Sequence, residues 1–261
     1  MKIGITERGD AGIDLSWQQK LKDIDGAVLI TKNITDKFID AVLAADKPII
    51  LHFTCTGFGG TILEPNVPTY QQQLNQLKKL IDMGFPADHC VLRIDPLLPC
   101  EEGMTKFWEV MKYFSTLLTG VDRIRISVLD EYKHVKERFK EHGLPCLYDG
   151  FQASDEQLKL VIKTLASFNA NRSIFQRYEI CAENRLWELT GEICGMNDNP
   201  FLFEVAGCIS QKDLNIMGLP CEGTGINPQN RKGCHCLSCK TELLTRKQQC
   251  PHGCLYCYWK S

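Results

Sequence analysis

Short apolar segments alternate with amphipathic segments along most of the chain. Six segments have the length and the β-branched content of buried strands, and we predict strands at 2–6, 27–31, 48–54, 90–94, 123–128 and 178–181. The segments between them repeat apolar residues at helical spacing, which predicts helices at 15–24, 35–45, 70–83, 105–118, 132–141, 154–168 and 185–193. Ser154 and Gln157 form the sequence pattern of a capping box at the start of one helix.

The alternation of strand and helix predicts an α/β fold. Strands separated by helices are typically parallel and joined by right-handed crossovers. Six such units fit a partial (βα)6 TIM-like barrel, and they fit a doubly wound open sheet equally well. The periodicity alone does not separate these two architectures.

The composition is that of a globular protein without a membrane span. Of the 261 residues, 44% are hydrophobic and 24% are charged, and no apolar run reaches 18 residues. The apolar segment at the start of the chain, Met1 to Ile5, is too short for a signal peptide, and charged residues lie too close to it. We therefore expect a cytoplasmic protein with no membrane contact.

Cysteines change this ordinary picture. The chain has 14 of them, and in a reducing compartment such a count indicates metal or redox chemistry rather than disulfides. Eight lie after residue 205: Cys208, Cys221, Cys234, Cys236, Cys239, Cys250, Cys254 and Cys257. We therefore divide the chain into an α/β part at 1–205 and a Cys-rich, metal-binding segment at 206–261.

The segment from Cys250 to Trp259 reads C-P-H-G-C-L-Y-C-Y-W. Its cysteines, Cys250, Cys254 and Cys257, have C-x-x-x-C-x-x-C spacing, and three such thiolates can ligate three irons of a [4Fe–4S] cluster while the fourth iron stays open. Zinc is the alternative, but zinc sites usually pair thiolates as C-x(2–4)-C and use four ligands. The spacing favours the iron–sulfur site.

A second group of cysteines precedes this loop. Cys234, Cys236 and Cys239 form a C-x-C-x-x-C pattern, and Cys208 or Cys221 is available as a fourth ligand. This pattern predicts a second metal centre, either an auxiliary iron–sulfur cluster or a zinc ion.

Polar residues follow the predicted strands, where a (βα) barrel has its active site. Arg93 and Asp95 are two residues apart and so share one face of their strand. The polar residues that we select at strand ends are Lys32, Asn33, Cys55, Arg93, Asp95 and Ser127. Together they predict a lined cavity.

The loop motif resembles the signature of radical S-adenosylmethionine (SAM) enzymes, with an aromatic residue, Tyr256, before the third cysteine. The C-x-Y-C-Y variant is similar to that of spore photoproduct lyase. The strings T-K-N at 31–33, F-T-C-T-G at 53–57, E-P-N-V-P at 64–68, R-I-D-P-L at 93–97 and R-I-S-V-L-D-E-Y at 125–132 are similar to an uncharacterised bacterial family, a domain of unknown function related to the lyases. The resemblance covers nearly the whole chain, with the cluster motif after the strands rather than after the first strand.

The resemblance implies a fold and a chemistry. It implies the partial barrel, a [4Fe–4S] cluster on the three loop cysteines, bound SAM, and a reductase such as flavodoxin or ferredoxin as the electron donor. SAM would be cleaved reductively to a 5′-deoxyadenosyl radical that abstracts hydrogen from a substrate. By position, Tyr256, Lys32, Asn33 and Ser127 are candidates for SAM binding, and Arg93 and Asp95 are candidates for catalysis, with Cys55 as a hydrogen-atom donor. The Gly-Gly-Glu motif that binds the SAM amine in that superfamily is absent, and 31–33 occupies its place.

Charge and substrate leave alternatives open. From Arg231 onward the chain carries six Lys and Arg residues against one acid, Glu242, although the net charge of the chain is −2. A basic tail can balance an anionic cluster or face a nucleic acid. A zinc-binding nucleic-acid module, with Tyr256, Tyr258 and Trp259 as stacking faces, and a metal-independent hydrolase or isomerase using Asp95, Glu183 or His52 remain the competing interpretations.

Overall fold

The computed structural model describes residues 1–170, 177–221, 224–228, 230, 233–244 and 250–259, with the backbone alone at 194–201. Its strands are β1 (Ile3–Ile5), β2 (Gly26–Thr31), β3 (Ile49–Thr54), β4 (Cys90–Leu97), β5 (Arg123–Val128), β6 (Arg177–Cys181), β7 (Phe203–Ala206) and β8 (Lys240–Glu242). Its α-helices are α1 (Asp36–Leu43), α2 (Tyr70–Asp82), α3 (Glu101–Leu117), α4 (Lys133–Glu141), α5 (Asp155–Ala170), α6 (Asn184–Leu202) and α7 (Gln211–Ile216).

The fold is α/β, built on one parallel sheet of eight strands in the order β7-β6-β5-β4-β3-β2-β1-β8. Strands consecutive in the chain are neighbours from β1 to β7, and the order does not reverse between them. The prediction of parallel strands with helical crossovers is confirmed. The predicted count of six strands is corrected, because β7 and β8 extend the sheet at its two edges.

Helices cover one face of the sheet, which we call the helix face. Alternate residues of β2 to β6 point into it because successive side chains of a strand point to opposite faces. Its core is apolar and continuous, with Leu51, Leu92, Ile124 and Ile180 packed against residues such as Phe107 of α3. Burial of the apolar side of each amphipathic helix against this core supplies most of the stability of the helices.

The remaining alternate residues form the opposite face, which we call the cavity face. Near the amino ends of the strands this face is apolar, with Ile5, Val28, Ile50 and Val91 packed against α7 and the residues around it. Further along the strands it becomes polar. His52, Arg93, Arg125 and Glu179 lie there, and all four are buried. Arg123, also buried, is the exception, since it begins β5 opposite Val91.

Local capping explains where several helices begin. At α2, Thr69 and Gln72 form a capping box, in which each residue accepts a hydrogen bond from the other's backbone N–H. The capping box predicted at α5 is confirmed, since Ser154 N donates to Gln157 Oε1 (2.9 Å) and Gln157 N donates to Ser154 Oγ (3.3 Å). The helix predicted at 15–24 is a 3-10 helix, Leu15–Asp23.

The segment after residue 205 contributes to the sheet itself. β8 lies inside the predicted Cys-rich segment and pairs in parallel with β1, with Ile3 opposite Lys240 and Ile5 opposite Glu242. Leu243 N then donates to Ile5 O at 2.7 Å. The division of the chain near residue 205 stays a prediction. Within the described residues, no helix has the length and apolar character needed to span a membrane.

Candidate functional site

A cavity of about 540 Å³ opens at the carboxyl ends of the strands. The carboxyl ends of parallel strands are where α/β proteins usually place their ligand sites. Strand ends form one side of the cavity, and the segment 250–259 forms another. The predicted site residues that line it are Lys32, Arg93, Asp95, Ser127, Cys234, Cys236, Cys250, Cys254, Tyr256 and Cys257.

The three cysteines of the C-x-x-x-C-x-x-C motif all face this cavity. Gly253 has φ +71°, in the left-handed region that favours glycine, and lets the loop turn between Cys250 and Cys254. Burial raises the pKa of the Cys254 thiol to about 12, and Lys32 opposes this rise. At neutral pH this thiol therefore keeps its proton unless a metal ion displaces it.

The cysteine loop is fastened to the loop that follows β3. Asn66 contacts it twice, because its Nδ2 donates to Pro251 O (2.8 Å) and its backbone N donates to His252 O (3.2 Å). Leu255 N donates to Leu63 O at 3.0 Å. These bonds satisfy backbone groups of an irregular segment and hold its cysteines over the strand ends.

His252, between the first two cysteines, anchors the loop to the end of β1. Its Nε2 donates to Asp10 Oδ2 at 2.7 Å, and both side chains are buried. Asp10 also accepts from Lys32 N (2.7 Å) and Gly12 N (2.8 Å). One carboxylate thus ties together the loop and the ends of β1 and β2.

Lys32, Glu64 and Tyr256 form a buried polar cluster beside the cysteine loop. Lys32 Nζ donates to Glu64 Oε1 (2.6 Å) and to the Tyr256 hydroxyl (2.9 Å), and that hydroxyl donates to Glu64. Burial opposes the charge of Lys32, but Glu64 and Cys254 outweigh burial and raise its pKa. A permanent cation therefore lies beside the cysteine loop.

The ends of β4 and β5 supply the polar wall opposite the loop. Arg93 donates to Asp95, and although burial opposes its charge, Asp95, Cys208 and Cys181 raise its pKa. Ser127 Oγ donates to Glu183 Oε1 at 3.1 Å. Burial first, and Asp130 second, raise the pKa of Glu183 to about 8, so this acid is largely protonated at neutral pH.

Of the second cysteine group that the sequence pattern predicts, two of the three members face the cavity. Cys234 and Cys236 line the cavity, whereas Cys239 packs against the apolar part of the cavity face, near the amino ends of the strands. Two cysteines from strand ends come close to Cys236 instead. Cys181 Sγ lies 3.9 Å from Cys208 Sγ, and Cys208 N donates to Cys236 Sγ at 3.1 Å.

Two further candidates lie outside the cavity lining. Cys55 is buried within the helix-face core, and burial raises the pKa of its thiol. Asn33 borders a separate depression between α1 and α2. Neither side chain contacts the cavity that contains the other candidates.

Glu64, His252 and Cys181 are site residues that we did not select from the sequence. Glu64 and His252 stand inside motifs that the sequence analysis quotes, E-P-N-V-P and C-P-H-G-C. A buried carboxylate or imidazole needs a polar partner, but nothing in the sequence pairs His252 with Asp10 across 242 positions. Of the predicted basic tail, Arg231, Lys232, Arg246, Lys247 and Lys260 lie outside the described residues, and Lys240 pairs with Glu7 at 2.6 Å.

A family model described as "Domain of unknown function (DUF1848)" matches residues 14–259. Because the match covers nearly the whole chain, the protein belongs to this uncharacterised family. No curated protein matches the sequence.

Proposed function

We propose that this DUF1848 protein is a radical SAM enzyme with a partial barrel fold. The observation that carries the proposal is the position of Cys250, Cys254 and Cys257, which face one cavity together with the polar ends of five strands. The sequential strand order supports the barrel, since β1 to β7 follow one another around the sheet and β8 adds to β1. The resemblance of the loop to the radical SAM signature supplies the chemistry.

The donor set fits an iron–sulfur cluster better than a single ion. A tetrahedral zinc site with Zn–S bonds of about 2.3 Å holds its sulfurs about 3.8 Å apart. Among the described residues, Cys250, Cys254 and Cys257 do not form a group with all ligand atoms within 4.8 Å of one another. Thiolates on different irons of one cube lie farther apart than thiolates on one ion, and the wider spacing of this loop is compatible with a cube.

A [4Fe–4S] cluster held by Cys250, Cys254 and Cys257 and reduced by the flavodoxin or ferredoxin would supply the electron that cleaves SAM to methionine and a 5′-deoxyadenosyl radical. The chain's own residues bind and orient. Lys32, held by Glu64 and Tyr256, places a cation beside Cys254 that offsets thiolate charge. Asp95, with its side chain 29% exposed, can accept hydrogen bonds from the SAM ammonium, and Ser127 can donate to a ribose hydroxyl.

The cavity also limits the substrate. Its volume of about 540 Å³ lies within the usual range for small-molecule sites, roughly 300–1,000 Å³. Three aromatic rings line it: Tyr132 stacks on Tyr258 with centroids 6.0 Å apart, and the Tyr258 and Trp259 ring centroids are 4.7 Å apart. Such rings favour a substrate with a flat ring, and a nucleic-acid base or lesion is the class that we propose.

We place the enzyme in the cytoplasm, with a flavodoxin or ferredoxin as its reductase. A reducing compartment suits free cysteines, and 13 cysteines in the described side chains form no disulfide. The reduced protein and its reductase would meet there.

The test is anaerobic purification with iron and sulfide quantitation, followed by reduction with SAM and an assay for 5′-deoxyadenosine. We expect iron and acid-labile sulfide in the ratio of a [4Fe–4S] cluster, and deoxyadenosine formation that Cys254→Ala abolishes. Cys146→Ala is the matched control, because Cys146 is an exposed cysteine outside the cavity lining. Addition of a single-stranded oligonucleotide tests the substrate class, and we expect it to increase the yield.

Other results would move the conclusion to the competing classes. Zinc without iron, and no SAM cleavage after anaerobic reconstitution, would overturn the radical SAM proposal in favour of a zinc-binding nucleic-acid module. Absence of both metals, with hydrolytic activity that depends on Asp95 or Glu183, would favour a metal-independent hydrolase.

A further inference from the structure

Four cysteines outside the C-x-x-x-C-x-x-C loop form a row of thiols along one wall of the cavity. Cys181 and Cys208 are 3.9 Å apart at Sγ, and Cys208 N donates a hydrogen bond to Cys236 Sγ at 3.1 Å. Cys234 is two residues from Cys236 and lines the cavity with it. All four line the cavity. The proposed radical chemistry uses none of them.

We propose that these four cysteines bind a second metal, a single thiophilic divalent ion such as Zn²⁺. The Cys181–Cys208 separation matches the sulfur–sulfur distance of about 3.8 Å in a tetrahedral zinc–thiolate site. The ligand atoms of Glu7, Cys208 and Cys236 all lie within 4.8 Å of one another, so two of the four cysteines already have single-ion spacing, with the Glu7 carboxylate beside them. Four thiolates are the commonest donor set of structural zinc.

The backbone around these cysteines is shaped to bring them together. A Cβ on Gly207 would lie 2.6 Å from backbone atoms of His235 and Cys236, so a larger residue before Cys208 would force the two segments apart. Ala182, after Cys181, has φ +58°, and Gly233, before Cys234, has φ +84°. A non-glycine residue in the left-handed region is uncommon and tends to occur where the surrounding structure requires it.

Three cations lie near the row, and each is already paired with a carboxylate. Arg125 Nη1 donates to Cys208 O at 3.4 Å, and Arg125 also pairs with Glu179. Arg93 and Lys240 line the same cavity and pair with Asp95 and Glu7. A Zn(Cys)4 centre has a net charge of −2, which these cations attract although the carboxylates already offset their charge.

The four ligands come from both edges of the sheet. Cys181 ends β6, Cys208 follows β7, and Cys234 and Cys236 precede β8. The row is open, so binding one ion draws the outer thiols of Cys181 and Cys234 inward. A metal held there would link the β6–β7 edge to the segment that carries β8.

The test uses cobalt(II) as a spectroscopic probe in the full chain with Cys250, Cys254 and Cys257 replaced by alanine. We expect one ion per chain with the thiolate-to-cobalt charge-transfer and visible bands of tetrahedral sulfur coordination. Cys208→Ser and Cys236→Ser should each weaken this binding by tenfold or more, because even outer-shell changes cost about 10–100-fold in metal affinity. Cys181→Ser and Cys234→Ser should change the spectrum while leaving residual binding.

Cys239→Ser is the matched control, since Cys239 belongs to the same sequence motif but lies outside the row. Far-UV circular dichroism of every variant separates a lost ligand from a lost fold. The proposal is overturned if Cys239→Ser removes the cobalt spectrum as fully as Cys208→Ser, if the background variant binds no cobalt, or if it carries iron with sulfide in place of a single ion. A Cys181–Cys208 disulfide in the protein purified under reducing conditions would also overturn it. None of these outcomes depends on SAM cleavage.

Discussion

The two faces of the sheet are built from neighbouring residues and yet differ completely in chemistry. Leu92 and Arg93 are consecutive, and one packs into the helix-face core while the other faces the cavity. The same holds for Ile124 and Arg125 on β5. The helix face is held mainly by apolar packing, whereas the cavity face combines apolar packing with a buried ion-pair network. The comparison shows that one strand supplies stability on one side and chemistry on the other.

The buried network is the costly part of the cavity face. Glu179 on β6 pairs with Arg123 (2.7 Å) and with Arg125 on β5, and Lys212 Nζ lies 3.2 Å away. Despite burial, Arg125 and Arg123 lower the pKa of Glu179 to about 2. Charges removed from water persist only when paired, so Glu179, together with Asp213 at 2.8 Å from Arg123, permits two guanidiniums inside the fold.

Breaking the network should give the largest change in stability. Glu179→Gln leaves Arg125 without its carboxylate partner and leaves Arg123 with Asp213 alone, at 2.8 Å. We expect the free energy of unfolding to fall by about 3–5 kcal/mol. Urea denaturation measures it. Glu204→Gln is the control on the adjacent strand, because Glu204 is opposite Glu179 in register and its partly exposed side chain pairs with Lys212 at 2.9 Å. An equal fall in the free energy of unfolding in Glu179→Gln and Glu204→Gln would contradict the expectation that the buried network contributes more.

Truncation on the helix face should cost somewhat less and leave the cavity unchanged. Leu92→Ala creates a cavity in the apolar core and should lower the free energy of unfolding by about 2–5 kcal/mol. Metal content and the cobalt spectrum should not change, because residue 92 points away from the cavity. Leu160→Ala, at a position 40% exposed on α5, should change stability by no more than about 0.5 kcal/mol. Loss of metal in Leu92→Ala would show that the faces are coupled.

The smallest of the three effects concerns pH. Burial first, and Arg125 second, lower the pKa of His52, so its Nε2 stays unprotonated and accepts from Arg125 at 3.3 Å. In the unfolded chain His52 takes up a proton near pH 6.5, whereas in the folded chain it stays neutral at that pH. Stability should therefore fall below pH 6.5, with a contribution from this residue of up to about 1.4 kcal/mol per pH unit. Urea titrations of the wild type and His52→Gln at pH 7 and 5.5 measure it, and an identical pH dependence in both proteins would refute the assignment.

The sequence predicts the helix face more fully than the cavity face. The six predicted strands can be recognised in the sequence, because strands buried on both faces contain continuous apolar runs such as 49–51 and 90–92. β8 is not visible, since Lys240, Thr241 and Glu242 have no apolar pattern and become a strand only by pairing with β1. Strand structure that comes from a distant partner leaves no local signal.

The candidate site shows the same limit. The motif spacing identifies Cys250, Cys254 and Cys257 because a local loop sets their separation. The spacing also suggested Cys239, which the structure places against the apolar cluster of the cavity face. It could not suggest Cys181, which lies 27 positions before its neighbour Cys208. Contacts between distant segments depend on the fold, and a single sequence does not report them.

The order of the site's parts along the chain has a consequence for how the protein matures. The cysteine loop follows all eight strands, and its anchors, Asp10 and Asn66, were synthesised long before it. A ribosome therefore delivers the helix face first and the three loop cysteines afterwards. Insertion of the proposed cluster would then be a post-translational event on a largely folded chain, and an oxygen-sensitive centre would not be assembled on an unfinished protein.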